Sequence, residues 1–355
     1  MKKKPCRTVW SEKMPLYEID LSQKKTYYVA CDDQLIYVEE YGCHDGIPAV
    51  FFHGGPGQGF SADKAGYFNP QWYRIILIDQ RGCGQSLPQK NLENNTTQLL
   101  LNDADHIRHV LGIDKWVIAG NSWGAALALL YAEKYPEHVL ALILRGTFLA
   151  DAEEVFRDDS FAARSKPDAW LRFKEQTHEL LVTYLIDETL FKDTPLTDRY
   201  TAIYYYLFMH HTFSVRQQAA AVMRSWINQI IALTPWMESD TLPDEAQVNA
   251  ATIEFHYSKH HYFLEPHFIL NNLETIAHYK IHVYLIHGTK DLMCSPSNAD
   301  AIQQRLPVEL VMRYDVLAGH TAEVATVEST ISATNSIYIE LLPSLQDQAV
   351  FPTFL

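Results

Sequence analysis

Short apolar runs alternate with longer amphipathic segments over the first 146 residues of the chain. Several of these runs are apolar at nearly every position, namely residues 74–78, 115–119 and 139–144. Continuous runs of this kind are typical of strands that are buried on both faces of a parallel sheet. Two further strands and two helices are predicted at residues 35–38, 49–52, 95–111 and 122–134. The alternation predicts a mostly parallel, doubly wound α/β sheet.

The pattern changes at residue 147. From there to residue 272, strand-like runs are rare, whereas aromatic and helix-forming residues are common. This stretch predicts a mostly helical insertion. The alternation then resumes, with strands at 283–286 and 308–314, a helix at 298–305 and a last helix from about 321 that ends before Pro343. We therefore expect an α/β core in residues 1–146, a helical cap in 147–272 and the rest of the core in 273–355.

The composition is that of an ordinary globular protein, with 47% hydrophobic and 20% charged residues. The formal net charge is −14, and no basic stripe is present, so we expect no nucleic-acid partner. An anionic surface of this kind would attract cationic substrates such as free amines. Nothing in the sequence specifies an oligomeric state.

The chain carries no pattern that directs it to a membrane or to an oxidising compartment. Residues 5–13, which follow the lysines at positions 2–4, contain no apolar segment, so we expect no secretory signal. No stretch approaches the roughly 18 apolar residues that a membrane span needs. The five cysteines form no CxxC pair, so neither a disulfide framework nor a zinc site is expected. The prediction is a cytoplasmic protein with no membrane partner, no metal and no cofactor.

The segment Gly120-Asn121-Ser122-Trp123-Gly124 has the form G-x-S-x-G, and it joins a predicted strand to a predicted helix. That context is the one required for a nucleophile elbow, in which a strained turn exposes the serine at the carboxyl end of the sheet. The helix that follows presents its N-terminus to developing negative charge. Ser122 is therefore the candidate nucleophile.

Two residues further along the chain complete a catalytic triad in the order serine, acid, histidine. Asp291 follows the strand predicted at 283–286, and His320 follows the last predicted strand. Both lie in loops at strand carboxyl ends, where sites form in open α/β sheets. We expect His320 to accept the Ser122 proton, and Asp291 to hold the imidazole in the required tautomer.

The glycine-rich loop at residues 53–57 also follows a predicted strand. Loops of this kind supply the second donor of an oxyanion hole, so the backbone N–H groups of Gly55 and Trp123 are predicted to form it. The segment from Asp79 to Ser86 follows another strand. Its carboxylate and guanidinium are expected to organise the loops around the site rather than to react.

Taken together, these motifs resemble the proline iminopeptidase (prolyl aminopeptidase) family of α/β-hydrolases. The resemblance rests on HGGPG at 53–57, DQRGCGQS at 79–86, NNTT at 94–97, GNSWGAALAL at 120–129, LRGTFL at 144–149, HGTKD at 287–291 and AGH at 318–320. It implies an α/β-hydrolase core with a helical cap. It also implies an enzyme that removes N-terminal proline from small peptides without a metal.

The family resemblance further implies that two cap glutamates hold the free amino group of the substrate and that aromatic side chains frame the proline ring. Glu254 takes the place of one glutamate. The other should end the alanine-rich segment 219–227, where Trp226 fits as a contact to the ring but Ile227 stands in place of the acid. Asn121 also replaces a usual glycine. Glu238 and Asp240 are possible substitutes for the missing carboxylate.

Three functions remain open at this point. The first is a prolyl aminopeptidase that acts through an acyl-enzyme, with Glu254 as the anchor for the amine. The second is an esterase or amidase of the same fold for small uncharged substrates, which the isoleucine at position 227 favours. The third is a non-catalytic ligand receptor, which has no need of a complete triad. His256 and His260, spaced i, i+4, could chelate a metal on a helix, although a polar cap surface explains them as well.

Overall fold

The structure is a computed structural model that describes residues 14–151, 155–234 and 241–347. Eight strands form one sheet in the order β1-β2-β4-β3-β5-β6-β7-β8. Their bounds are β1 Lys25–Cys31, β2 Gln34–Gly42, β3 Ile47–Phe52, β4 Tyr73–Ile78, β5 Trp116–Asn121, β6 Val139–Arg145, β7 His282–Gly288 and β8 Val311–Val316. The pairs β1–β2 and β2–β4 are antiparallel, and the remaining pairs are parallel.

Two helices lie between the strands of the first half: α1 Thr97–Val110 and α2 Trp123–Lys134. Between β6 and β7 the described residues form helices and no strand. These are α3 Phe161–Ser165, α4 Pro167–Thr183, α5 Arg199–His210, α6 Phe213–Ile227, α7 Glu245–Lys259, α8 Phe268–Asn272 and α9 Glu274–His278. The chain continues with α10 Ser297–Gln303 and α11 Val324–Asp347. None of the helices in the described ranges is long and apolar enough to span a bilayer.

Helices cover both faces of the sheet, which explains the continuous apolar runs in the sequence. Val50 and Phe52 of β3 pack on the face that α1 and α2 cover. Ala49 and Phe51, their neighbours along the strand, pack on the opposite face with α11. Successive side chains of a strand point to opposite faces, so a strand covered on both sides is apolar at every position. Each fully buried aliphatic side chain contributes about 1.5–3 kcal/mol.

Two predicted boundaries are wrong, and one strand was not predicted. The last strand begins at Val311 rather than at residue 308, because residues 308–310 form a 3-10 turn. Helix α11 continues through Pro343 to Asp347. A proline removes one N–H donor and bends a helix, but near its end it need not terminate it. Strand β1 went unpredicted because most of its side chains are exposed at the edge of the sheet.

The helices between β6 and β7 have an apolar cluster of their own. It contains Trp170, Phe173, Tyr204 and Trp226 and is separate from the two clusters of the sheet. Helix α8 does not belong to it, since Ile269 packs in a sheet cluster.

Helix α7 lies between the helical cluster and one of the two sheet clusters. Val248, Ala251 and Phe255 face the helical cluster, whereas Ile253 and Tyr257 face the sheet cluster. A helix that is apolar on two sides is buried on both. Glu254 is carried on this helix, at the junction of the core and the helical region.

Candidate active site

The backbone at Ser122 is strained in the way that a nucleophile elbow requires. Ser122 has φ 54° and ψ −122°, a left-handed conformation that non-glycine residues rarely adopt, and it directly precedes α2. The flanking glycines are needed for close packing. A Cβ at Gly120 would lie 2.1 Å from the Gly124 carbonyl oxygen, and one at Gly124 would lie 2.0 Å from that of Phe52. The turn therefore holds Ser122 at the carboxyl end of β5.

Asp291 and His320 form a hydrogen-bonded pair. His320 Nδ1 donates to Asp291 Oδ2 over 2.7 Å, which leaves Nε2 as the basic nitrogen. Asp291 is fully buried, and its Oδ1 accepts from the backbone N–H groups of Met293 and Cys294, each at 2.9 Å. Burial alone would raise the pKa of Asp291, but the positive charge and hydrogen bond of His320 lower it below its usual value. The carboxylate thus stays ionised beside the imidazole.

Arg145 connects the serine and histidine loops. Its carbonyl accepts from Ser122 N–H at 3.0 Å, and its guanidinium donates to the His320 carbonyl at 2.8 Å. Gly146 packs beside the pair, since a Cβ there would lie 3.1 Å from the His320 ring. Among the described residues Ser122 Oγ has no hydrogen-bond partner. Catalytic hydrogen bonds are often long without substrate and tighten when it binds.

His53 orients the peptide unit that carries the Gly55 N–H. His53 is buried, and burial lowers its pKa to about 4, so the ring is neutral. Its Nδ1 donates to the Gly54 carbonyl at 2.8 Å, and its Nε2 accepts from Gln80 N–H at 3.1 Å. The C=O and N–H of a trans peptide point in opposite directions. The Gly55 N–H is therefore turned away from His53, and Gly55 lines the cavity that contains Ser122.

Gln80 joins this peptide to the second predicted oxyanion donor. Its side chain donates to the His53 carbonyl at 2.9 Å and accepts from the Trp123 indole at 2.9 Å. Trp123 is the first residue of α2, so its backbone N–H has no intrahelical partner. The sequence singled out Gly55 and Trp123, but the connection through His53 and Gln80 was not predicted. The adjacency of HGGPG and DQRGCG to strand ends was the signal that could have suggested it.

The segment from Asp79 to Ser86 organises the loops around it. Asp79 accepts from Phe60 N–H and Gln85 N–H, each at 2.8 Å. Burial raises the pKa of Asp79 to about 6. The Arg81 side chain is fully buried and donates to Asp103 over 2.7 Å. Neither Asp79 nor Arg81 lines the cavity at Ser122.

A cavity of about 50 Å³ lies over Ser122. Its wall includes Gly55, Phe148, Glu254 and Tyr262. A water molecule takes about 30 Å³ of liquid volume, so lining side chains must shift before a substrate can bind.

Glu254 faces this cavity without a hydrogen bond or ion pair to any residue that the structure describes. Burial raises its pKa to about 7, and no cation of the described residues offsets the effect. Gly57 brings the glycine-rich loop against α7, since a Cβ there would lie 2.6 Å from the Ala250 carbonyl oxygen. The structure therefore brings Glu254 together with Ser122 and Gly55.

Trp226 does not line the cavity. Its side chain is 1% exposed, its indole donates to the Val155 carbonyl at 3.1 Å, and its ring centroid lies 5.2 Å from that of Trp170. The predicted contact of Trp226 with substrate is thus not supported, because the side chain is enclosed in helix packing. Ile227 is partly buried against the same cluster. Glu238 and Asp240 lie outside the described residues.

His256 is used in a structural contact. Its Nε2 donates to the Asn95 carbonyl at 3.0 Å, and its ring lies 5.1 Å from that of His260. In the ranges that the structure describes, no three His, Cys, Asp or Glu side chains are grouped as metal ligands.

Comparison with known proteins places this fold in a defined class. The sequence profile of the alpha/beta hydrolase fold matches residues 48–322. The proline iminopeptidase-related protein of Thermus thermophilus shares the fold, with a TM-score of 0.51 and 19% identity over 90% of this chain and 99% of that one. The chain is an α/β-hydrolase, which confirms the predicted fold class.

Curated relatives narrow this assignment. Proline iminopeptidase of Neisseria meningitidis serogroup A is 34% identical over 92% of this chain and 100% of the relative. Proline iminopeptidase of Arabidopsis thaliana is 32% identical over 86% of this chain and 77% of the relative. The chain belongs to the proline iminopeptidase family.

Proposed function

We propose that this protein is a serine aminopeptidase that releases N-terminal proline from short peptides. The observation that carries the proposal is the Glu254 carboxylate, which faces the cavity at Ser122 without a cationic partner in the described part of the chain. A carboxylate that is half-buried beside a cavity is costly unless it is paired. The ammonium of a substrate with a free N-terminus would supply the missing charge beside the reacting serine.

The proposed reaction uses Ser122, His320 and Asp291. Ser122 Oγ attacks the prolyl carbonyl carbon while His320 Nε2 takes its proton, and Asp291 holds the imidazolium that forms. The oxyanion is stabilised by the N–H groups of Gly55 and Trp123. The C–N bond then breaks, and His320 returns the proton to the leaving amine. Water, deprotonated by His320, hydrolyses the acyl-enzyme and regenerates Ser122.

The helices between β6 and β7 form the cap in this proposal. Residues 147–272 are the predicted span, and the separate apolar cluster supports it from Val155 to Phe255. The packing of Ile269 with the sheet favours an end of the cap before α8. The cap contributes Glu254 to the site and leaves the triad to the core.

Hydrolysis of a prolyl arylamide tests the proposal, beside N-acetyl-prolyl arylamide and a short-chain aryl ester. We expect fast cleavage of the free prolyl amide, none of the acetylated form, and loss of both amide and ester hydrolysis in Ser122→Ala. Labelling by a fluorophosphonate in the wild type but not in Ser122→Ala checks the nucleophile itself. Ester hydrolysis without prolyl amide hydrolysis would reject the aminopeptidase.

One observation favours a second candidate, an esterase or amidase for small uncharged substrates. Ile227 presents a partly buried aliphatic side chain where the family resemblance implies a second glutamate. A single carboxylate compensates an ammonium less completely than two. Equal rates on the free and acetylated prolyl amides would support this candidate.

We also propose that the protein works in the cytoplasm. Three of its described cysteines, Cys31, Cys43 and Cys83, carry free thiols. Free thiols are the rule where the surroundings are reducing. Fractionation of the native host, followed by detection of the protein, tests this assignment.

A further inference from the structure

A second cavity of about 360 Å³ adjoins the one at Ser122. The loop that follows Asp291 separates them. Met293 lines both cavities, with Cys294 on the catalytic side and Leu292 and Ser295 on the other. The volume falls within the range of about 300–1,000 Å³ that is usual for small-molecule sites. Methionine is flexible and unbranched, so a change of its rotamer can join the two spaces.

The second cavity carries a net positive charge, although the chain as a whole carries −14. Its charged lining residues are Arg157, Arg164 and Asp159. Arg157 forms two hydrogen bonds of 2.9 Å with the Asp159 carboxylate, which neutralises one of the two cations. Arg164 donates to the Asp159 backbone carbonyl. No carboxylate in the described ranges lies within ion-pair distance of Arg164.

Neutral polar groups complete the wall of the second cavity. Ser295 and Asn298 lie beside the loop that holds Asp291. Ser295 Oγ accepts from Ser297 Oγ at 2.8 Å, and Asn298 Nδ2 donates to the Thr147 carbonyl at 3.1 Å. The cavity thus combines Arg164, which has no carboxylate partner among the described residues, with fixed polar groups and the aliphatic side chain of Leu292.

We propose that this second cavity is the subsite for the leaving part of the peptide, and that Arg164 binds its C-terminal carboxylate. This inference rests on the proposed aminopeptidase function. Glu254 and Ser122 would fix the prolyl group in the first cavity, so the residues beyond the scissile bond must lie elsewhere. Past Met293 they reach a space of limited volume that ends at a cation. The substrates would then be short prolyl peptides with a free C-terminal carboxylate.

The test measures kcat/KM for a prolyl dipeptide and for the same dipeptide with an amidated C-terminus. The readout is the ratio of the two values within each variant, so a loss of folded protein cancels. We expect the wild type to prefer the free acid by about fivefold or more, since an ion pair of about 1 kcal/mol corresponds to that ratio. In Arg164→Gln the ratio should fall to near one, and it should decrease in the wild type as salt is added.

Arg172→Gln is the matched control. Arg172 is an exposed arginine on α4 that does not line the second cavity. The Arg172→Gln variant should keep the wild-type ratio of kcat/KM for the acid to that for the amide. Equal kcat/KM values for the acid and the amide in the wild type would overturn the proposal, as would a preference that persists in Arg164→Gln. If the prolyl arylamide is not cleaved, the aminopeptidase assignment fails instead, so the two failures are distinguishable.

Discussion

Replacement of Glu254 by Gln tests the proposed role of that residue most directly, because it keeps the shape of the side chain and removes only the charge. A hydrogen bond to a charged group is worth about 1.5–3 kcal/mol, which corresponds to a loss of roughly 10- to 150-fold in kcat/KM. This loss should appear with a free prolyl arylamide at pH 7.5. An aryl ester without an amine should be hydrolysed by both proteins at nearly the same rate.

The pH dependence of this loss follows from the pKa of about 7 that burial gives Glu254. At pH 7.5 about three quarters of the carboxyl is ionised, and at pH 5.5 only a few per cent is. The wild type should therefore lose its advantage over Glu254→Gln as the pH falls through 7. A constant ratio between the two proteins from pH 5.5 to 7.5 would refute the reasoning, and so would an equal loss on the ester.

Glu254→Gln should lose activity on the free prolyl amide but gain folding stability. The folded-state pKa of Glu254 lies above its unfolded value, so folding favours the protonated carboxyl. That contribution is fully present below the unfolded pKa of about 4.5 and is lost as the pH rises through about 7. Glu254→Gln should gain stability relative to the wild type over this window, by about 2–3 kcal/mol.

Urea denaturation at pH 5 and pH 8 measures this gain. Glu175→Gln is the control, since Glu175 is an exposed acid on α4 that forms no ion pair with the described residues. We expect it to change neither the activity nor the pH dependence. A difference in stability between Glu254→Gln and the wild type that does not vary with pH would mean that the Glu254 carboxyl is not its source.

Two further substitutions test the supporting structure. His53→Ala removes the donor that orients the Gly55 peptide, so kcat for the prolyl arylamide should fall by about 10- to 100-fold with little change in KM. His53→Asn, whose amide can replace Nδ1 as a donor, should recover part of the lost kcat. An unchanged kcat in His53→Ala would contradict the role of His53 in orienting the Gly55 peptide. Asp103→Ala leaves the buried Arg81 guanidinium without its closest partner and should cost about 3 kcal/mol in urea denaturation. An unchanged denaturation midpoint would show that the pair does not stabilise the fold.

The sheet could be predicted, and candidate triad residues could be selected, because both depend on local pattern. Strands covered on two faces, such as β5 and β6, are continuous apolar runs, and the candidate residues lie within a few positions of strand ends. Strand β1 lacks this signal, since Lys25, Thr26 and Tyr28 are exposed. The hydrogen bonds that Gln80 donates to His53 join segments that follow two different strands. No local pattern specifies such a contact, although each motif alone is recognisable.

The packing of the cap could not be predicted in the same way. Its helices carry aromatic residues on several faces, and helical periodicity does not reveal which face meets the site and which meets another helix. Trp226 illustrates this, because its neighbours Trp170 and Phe173 come from α4 and enclose it. Family resemblance singles out Glu254 as a candidate, whereas its place at the cavity follows from tertiary packing. The two sides of α7 are held by different apolar clusters, which leaves the helix little freedom to rotate.

Backbone hydrogen bonds also connect the helical region to the histidine loop, so this region does more than contribute a carboxylate. The backbone N–H of His320 donates to the carbonyl of Ile231 at 2.7 Å, and Thr321 N–H donates to the same oxygen at 3.0 Å. Ile231 follows α6, in the helical region. A shift of this segment would remove this shared acceptor from the histidine loop. Asp291 holds the His320 ring and Arg145 holds its carbonyl, so the Ile231 carbonyl is the contact through which the helical region supports the histidine loop.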